Sequence, residues 1–461
     1  MLNLQDFFHN YVSFLPEIII GIGLLASLMY NIFGKKNVIL AQVLYIFFVL
    51  ASLFSSFFVT KNGNNDMYIV FERLLLLSAA LVPLFFSEQS KANPPEWLFL
   101  LLSNVLGLQI MMRAQDFVSI FVALELSAIS FYILVIISWT KVSKEGALKY
   151  LLLGIFASAF MLYGLSWLYG FTGSLQLSAP KNLHFKNEFL LALAFLMFLS
   201  GFLMKISAFP WHIWAPDAYQ VAPNSVVAFL STAPKVSTIL VLLKILMAYQ
   251  ETIPSIRNIL IVIAIISITW GNLSAFWQKS TKRMLAYSAI ANAGYLLIGV
   301  LVHSSFALQS LQFYLLVYVL SNFLAFLLLD FYEKKQQIYN IEDFKGLGER
   351  HALTMIAMLI AMISLAGLPP TAGFTAKLFI FSALWQNYQQ SQSLWEIAWL
   401  FVGLLNTVIG LFYYLKIPYM AFLKKSAIPT EKKNTENTSV IIFAWLLAAS
   451  ILFLFFYPSV F

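Results

Sequence analysis

The 461-residue chain is 61% hydrophobic and only 10% charged, with a net charge of +8 and a mean hydropathy of +0.83. An ordinary soluble domain, at about 25% charged residues, is excluded. The absence of cysteine also excludes disulfides, cysteine-held iron–sulfur clusters and thiolate metal sites, and the positive charge fits loops meeting anionic lipid rather than nucleic acid, because no basic patch is interleaved with aromatics.

At the ~20 residues a bilayer span requires, the pattern predicts about fourteen membrane helices, over 11–33, 38–59, 67–87, 97–113, 116–138, 146–170, 188–214, 224–248, 257–277, 283–302, 309–332, 352–385, 395–422 and 439–460. The first stretch has no basic region before it and no small-residue cleavage site after it, so it reads as a retained helix. The connecting loops fall into two alternating sets, one with sixteen Lys and Arg, the other with only Lys61, Arg113, Lys181, Lys186 and Arg257. The positive-inside rule then predicts both termini on the outward side. The 44 Phe and 21 Tyr read as lipid-facing bulk and interfacial belts.

Charges inside spans are expensive and usually face a bundle interior or a water-filled cavity. Glu125 lies near the middle of the fifth predicted helix and Lys235 near the middle of the eighth, while Lys205 and Lys377 stand beside stretches that cannot be regular helix. Lys205 precedes Ser207-Ala208-Phe209-Pro210-Trp211-His212-Ile213-Trp214-Ala215-Pro216; Lys377 follows Gly367-Leu368-Pro369-Pro370-Thr371-Ala372-Gly373-Phe374-Thr375. The prolines Pro210, Pro216, Pro369 and Pro370 remove donors and break the helices, which lipid tolerates only where freed backbone groups line a cavity or are covered by protein. The opposite order of lysine and break suggests two inverted repeats.

The expected architecture is therefore an all-α polytopic membrane protein. Three helices (1–96) precede a five-helix repeat (97–248, broken near 205–216) and a second five-helix repeat (249–422, broken near 367–377); a loop and a last helix (423–461) follow. Three buried lysines with one midplane acid point to lysines that exchange protons, since desolvation disfavours the charged form. His212 is read evenly as a relay member or as a plug in the break, and Tyr287 and Lys282 are further relay candidates. Glu17, Lys244 and Lys416 are expected to snorkel at helix ends, Glu72 and Arg73 to act locally at least as readily as in transport, and Asp217 to cap the segment after Pro216. His9, His184, His303 and His351 read as loop or interface residues. No metal- or cofactor-binding residue is expected.

Leu124-Glu125-Leu126, EGALKYLLLGIFASAF from Glu145, KISAFPWHIWAPDAYQVAP from Lys205, KRMLAYSAIANA from Lys282 and GLPPTAGFTAKLF from Gly367 together resemble the antiporter-like membrane subunits of respiratory complex I, most closely the subunit N (subunit 2) group. The resemblance implies an antiporter-like fold in which Glu125 pairs with Lys205, Lys149 modulates the pair, Lys235 is the central lysine and Lys377 exchanges protons with the far side. It also implies that NADH, FMN, iron–sulfur clusters and quinone are bound by partner subunits, with subunits M (4) and K (4L) as neighbours and lipid, cardiolipin among it, around them. The lysine at 377 argues against the M type, which carries glutamate there, and the absence of a long lateral helix before Phe461 argues against the L type. Asn292 stands where relatives often have histidine, and Thr375-Ala376 replaces a more glycine-rich run.

The expected function is proton translocation along a hydrated midplane chain, coupled to NADH oxidation and quinone reduction elsewhere in the complex. A cation/proton antiporter of Mrp type and a scaffold subunit are the alternatives. Lys outnumbers Arg 23 to 5, as AT-rich coding gives, so the mitochondrial inner membrane is the expected location and a bacterial cytoplasmic membrane the alternative.

Overall fold

The computed structural model describes residues 13–33, 37–59, 65–85, 96–177, 188–249, 253–425 and 438–458. Helices dominate: α1 (Leu15–Phe33), α2 (Val38–Ser55), α3 (Asn65–Leu81), α4 (Glu96–Arg113), α5 (Phe117–Ile136), α6 (Lys141–Thr172), α7 (Glu188–Ile206), α8 (Trp214–Val221) and α9 (Asn224–Tyr249). They continue as α10 (Pro254–Phe276), α11 (Thr281–Leu301), α12 (Ser305–Gln336), α13 (Leu347–Arg350), α14 (Ala352–Ala366), α15 (Ala372–Ser391), α16 (Leu394–Tyr414), α17 (Lys416–Leu423) and α18 (Thr438–Phe456). Among the described residues, extended pairing is confined to two isolated bridges, Asp116 with Gln176 and Ser280 with Asn340.

Local chemistry sets the helix ends. Asp116, Thr140 and Ser304 accept a hydrogen bond from the backbone N–H three residues on, at 2.8, 3.1 and 3.0 Å, and so start α5, α6 and α12 by satisfying amides that have no partner within the helix. Gly173 stops α6 with φ at 65°, a left-handed conformation that costs glycine little.

Burial sorts the helices. The most apolar stretches of α9 and α12 are entirely enclosed by protein, whereas those of α1, α2 and α18 are only 28% buried and present Leu, Ile and Phe outward, as helices facing hydrocarbon do. Twelve helical segments among the described residues are long and apolar enough to cross a membrane. The expected fourteen are not all met by that measure, for two reasons. α4 carries Asn104, Gln109 and Arg113, and the stretch expected as one span over 352–385 is divided into α14 and α15.

An internal repeat is visible in matching features. α6 and α12 each have 32 residues, and Asp116 stands as far before Ser280 as Gln176 before Asn340. Both breaks contain a residue at positive φ (Ser207, Gly367) and, three residues later, the proline of a cis peptide bond (Phe209-Pro210, Pro369-Pro370). With the five spans per unit expected from the sequence, the second unit would run through the membrane opposite to the first. Because inversion preserves chain order, it does not produce the opposite placement of the lysines, contrary to the expectation. In the register of the breaks, Lys377 matches Asp217 rather than Lys205.

One end of the bundle gathers the starts of α6 and α11, the end of α12, and α8. These are tied by ion pairs of Asp217 with Arg283 and Lys149 and of Glu333 with Lys282. The other end holds Arg113 with Glu17 and Arg257 with Glu396. His9 and His184, with Lys35, Lys36, Lys61, Lys91, Lys181, Lys186, Lys432 and Lys433, lie outside the described residues.

Candidate functional site

A broken helix exposes carbonyls that lack a donor, and the two breaks solve this differently. At the end of α7, Ser207 and Ala208 N–H return to Met204 O and Leu203 O at 3.0 and 2.8 Å, and the indole of Trp214 donates to Met204 O at 3.1 Å. Lys205 takes no part. At the end of α14, Gly367 (φ 84°) donates to Ile363 O and Ser364 O, and the Lys377 ammonium donates to Ala366 O at 2.8 Å and Leu365 O at 3.3 Å. A cation at a helix C-terminus meets the negative end of the helix dipole. Lys377 thus lies inside α15, beyond the break, and caps the preceding half-helix.

Lys205 is 4% exposed, and its Nζ has no hydrogen-bond partner among the described residues; the Phe131 ring is 5.9 Å away. Glu125 is half-buried on α5. Its carboxylate is taken by Ser158 Oγ from α6. The direct Glu125–Lys205 ion pair implied by the family resemblance is not present in this structure, where Lys205 Nζ has no partner among the described residues and Ser158 takes the carboxylate.

Lys235 follows Pro234 inside α9 and is 1% exposed. Its Nζ donates to Ala289 O on α11 and to the Tyr318 hydroxyl on α12, the latter at 3.1 Å. Tyr318 in turn lines a void of about 10 Å³ together with Asn292, Tyr314, Ser321, Ser364 and Lys377. That volume is on the order of one water molecule's probe sphere. Beside it, Tyr314 donates to Asn292 Oδ1 at 2.7 Å, and the Ser321 and Ser364 hydroxyls meet at 2.7 Å. Tyr318 thus bonds Lys235 and shares this void with Lys377 on α15. Asn292→Leu leaves the buried Tyr314 hydroxyl without its acceptor, an expected loss of about 1–3 kcal/mol, measurable as a lower midpoint of thermal unfolding in detergent.

Other candidates fall elsewhere. Lys149 is exposed and pairs with Glu145 at 2.9 Å and Asp217 at 3.0 Å, so it sits at the interfacial rim and not against Glu125 or Lys205. Asp217 was expected to cap; α8 has no side-chain cap, and Asp217 instead joins Lys149 to Arg283, 2.6 Å away. Lys282 pairs with Glu333 at 3.0 Å, and Tyr287 is half-buried; neither touches the lysine line. His212 is 7% exposed and stacks on Phe209 with ring centres 5.5 Å apart, filling the first break. Its Nδ1 has no partner among the described residues.

Three expectations need correction. Glu17 does not snorkel: it is buried and held by Arg113 and by the Tyr68 hydroxyl at 2.6 Å. Lys244 donates inward to Met112 O, since a helix-end carbonyl lies within reach; Lys416 makes an exposed bond to Phe276 O. His351 is 5% exposed and bonds Gln336 at 2.8 Å, because α12 extends over it. Arg73 does act locally, on Ser56 O at 3.1 Å. The residues missed from sequence are Tyr314, Tyr318 and Ser321, whose helical spacing places them along one side of α12, a signal hidden by the apolar residues between them.

Comparison with known proteins gives a consistent picture. The family profile described as "NADH:quinone oxidoreductase/Mrp antiporter, TM" matches residues 114–410. The chain is 34% identical to NADH-quinone oxidoreductase subunit N of Trichlorobacter lovleyi, over 90% of this chain and 88% of that one. Respiratory complex I from Thermus thermophilus contains a chain that superposes with a TM-score of 0.80 at 29% identity, covering 96% of this chain and 97% of its own. A chain of the Mrp complex from a Dietzia species superposes with a TM-score of 0.82 over 98% and 95% of the two chains, but at 19% identity, so there the likeness is one of fold.

Proposed function

The chain belongs to the NADH:quinone oxidoreductase/Mrp antiporter transmembrane family, and we propose that, as a membrane-arm subunit of NADH-quinone oxidoreductase, it carries protons along Glu125, Lys205, Lys235 and Lys377. The observation behind this reading is the continuity from Lys235 through Tyr318 and the water-sized void to Lys377. A lysine can release and regain a proton, whereas a row of ammonium groups repels a passing metal cation. The row therefore favours protons over bulk cations.

Coupling follows from charge. Two unit charges ~4 Å apart interact by about 4 kcal/mol at an effective dielectric of ~20. Closing the gap between Glu125 and Lys205 would bring a counter-charge to the buried ammonium, and opening it would remove that charge, changing the proton affinity of Lys235 in turn. Lys149, held by Asp217 and Glu145, bears on this only if that rim rearranges. Asn292, linked to Tyr314 and to the Tyr414 hydroxyl at 3.4 Å, takes the place of the family histidine as a hydrogen-bonded bridge.

NADH oxidation, with its flavin, iron–sulfur clusters and quinone, is assigned to partner subunits. Within the membrane arm the proposed neighbours are the M-type and K-type subunits, with anionic lipid such as cardiolipin around them. The chain is a multi-pass membrane protein. Its bacterial relative favours a bacterial cytoplasmic membrane over the mitochondrial inner membrane first expected; that both termini lie on the outward side is proposed from the loop charges alone.

The test is Lys235→Met in the whole complex, reconstituted in vesicles, with proton uptake followed against NADH oxidation. Protons moved per NADH are expected to fall by at least ~10-fold; parental pumping would reject the assignment. The Mrp fold likeness supports a second reading, a cation/proton antiporter. Copurification with flavin- and iron–sulfur-bearing subunits decides between the two.

A further inference from the structure

Away from the lysine line, the densest set of buried polar groups lies where the starts of α1 and α3 meet the ends of α4 and α9. A cavity of about 840 Å³ opens there, with Glu17, Tyr68, Arg113 and Lys244 in its walls. Glu17 accepts from Arg113 and from the Tyr68 hydroxyl. Glu72 follows one turn along α3 from Tyr68, on the same face, and has no exposure at all.

Glu72 is incompletely satisfied. Its Oε1 receives a long hydrogen bond, 3.3 Å, from Gln109 Nε2 on α4, and its Oε2 has no partner among the described residues. The same holds for the next two polar side chains along α4. Gln109, one turn from Arg113, has an unpartnered Oε1; Asn104 donates to Ser127 O at 2.8 Å and has an unpartnered Oδ1. Ser127 lies two residues from Glu125 on α5. Arg113, Gln109 and Asn104 thus step over about 13 Å of helix at 1.5 Å per residue, from the cavity toward the level of Glu125.

Buried acceptors are almost always paired with a protein donor or an ordered water. Three unpaired oxygens in succession along one seam call for donors, and the groups able to supply them are a proton on Glu72 and internal waters bridging the side chains. We propose that Glu72 is a proton-exchanging station on a second, hydrated route that joins the Arg113 cavity to Glu125 along α4. The proton held by the Glu72 carboxyl passes in one direction along waters that the Gln109 and Asn104 amide oxygens hold in line, and in the other direction to the Glu17 carboxylate. The carboxyl returns to its starting form when a proton arrives from the opposite side, so charge and protons balance. This route rests on the proton-carrying function proposed above and gives it access to the membrane face that holds Arg113.

The experiment uses the whole complex in vesicles with Glu72→Gln, Glu72→Asp and Lys235→Met side by side, reading protons moved per NADH oxidised. Glu72→Gln keeps the hydrogen bonds and removes the exchangeable proton. It is expected to lower the ratio at least ~2-fold, with Glu72→Asp restoring most of it and a carboxyl band in the redox-induced infrared difference spectrum disappearing only in the Gln variant. A parental ratio in Glu72→Gln, or an equal loss in Gln and Asp, overturns the route. If Glu72→Gln fails to assemble, Gln109→Leu takes its place: a lowered ratio supports the route and a parental one overturns it. Full pumping in Lys235→Met overturns the function on the lysine line; full pumping in Glu72→Gln alone overturns only this second route.

Discussion

Lys377→Met is expected to abolish proton pumping while leaving the subunit assembled. The ammonium caps Leu365 O and Ala366 O and borders the void that Tyr318 also lines, so its removal takes away both a donor and the proposed terminal station. Two effects on stability oppose each other. Losing hydrogen bonds from a charged group costs about 1.5–3 kcal/mol, whereas replacing a buried cation by an apolar side chain of similar length relieves its desolvation. The net change is expected to stay within ~2 kcal/mol, with protons moved per NADH falling at least ~10-fold. Lys377→Arg separates the roles: guanidinium keeps the positive charge but does not release a proton, and the void of about 10 Å³ has no room for it. It is expected to lose pumping as fully as Met and to be the less stable variant. Pumping retained in either variant would remove Lys377 from the route.

Gly373→Val is expected to prevent assembly. A Cβ at this position would stand 1.8 Å from the backbone oxygen of Ser364, where the end of α14 passes the start of α15. Backbone cannot move aside as a side-chain tip does, and overpacking a rigid contact costs roughly 3 kcal/mol or more. The measurement is the amount of subunit recovered in the membrane and in the purified complex. Gly170→Ala is the control, since nothing lies within 4 Å of its added Cβ. Replacing a helical glycine by alanine there is expected to be neutral or to stabilise by up to ~1 kcal/mol. Normal recovery of the Val variant would mean that the two half-helices are not held in this crossing.

The contrast between the two breaks shows what a sequence reveals and what it hides. Pro210 and Pro369-Pro370 announce that α7 and α14 must stop, because proline acts on its own backbone and on its immediate neighbours. Which group then satisfies the exposed carbonyls is not a local property. At one break it is Trp214, nine residues on from Lys205; at the other it is Lys377 itself. The lysines looked alike in the sequence, yet Lys205 has no acceptor among the described residues and Lys377 has two.

The same limit explains Asp217 and Glu17. Each sits where a capping or snorkelling reading is the sound local inference, and each is claimed by a distant arginine, Arg283 or Arg113. Helices that are apolar all round, such as α11 and α12, carry little periodic signal of which face meets which neighbour. The side chains that join Lys235 to Lys377 were therefore invisible until those faces were brought together.

By itself, the sequence determined that the chain is a multi-span membrane protein, where its two broken helices lie, which lysines are buried and to which family it belongs. These follow from hydropathy, proline stereochemistry, the cost of charge in hydrocarbon and matched motifs, all of which act locally along the chain. Only the tertiary structure decided that Ser158 holds Glu125, that Tyr318 bonds Lys235 and shares a water-sized void with Lys377, and that one carboxylate oxygen of Glu72 has no partner among the described residues. Those are pairings between faces of helices far apart in the chain, and close packing selects them.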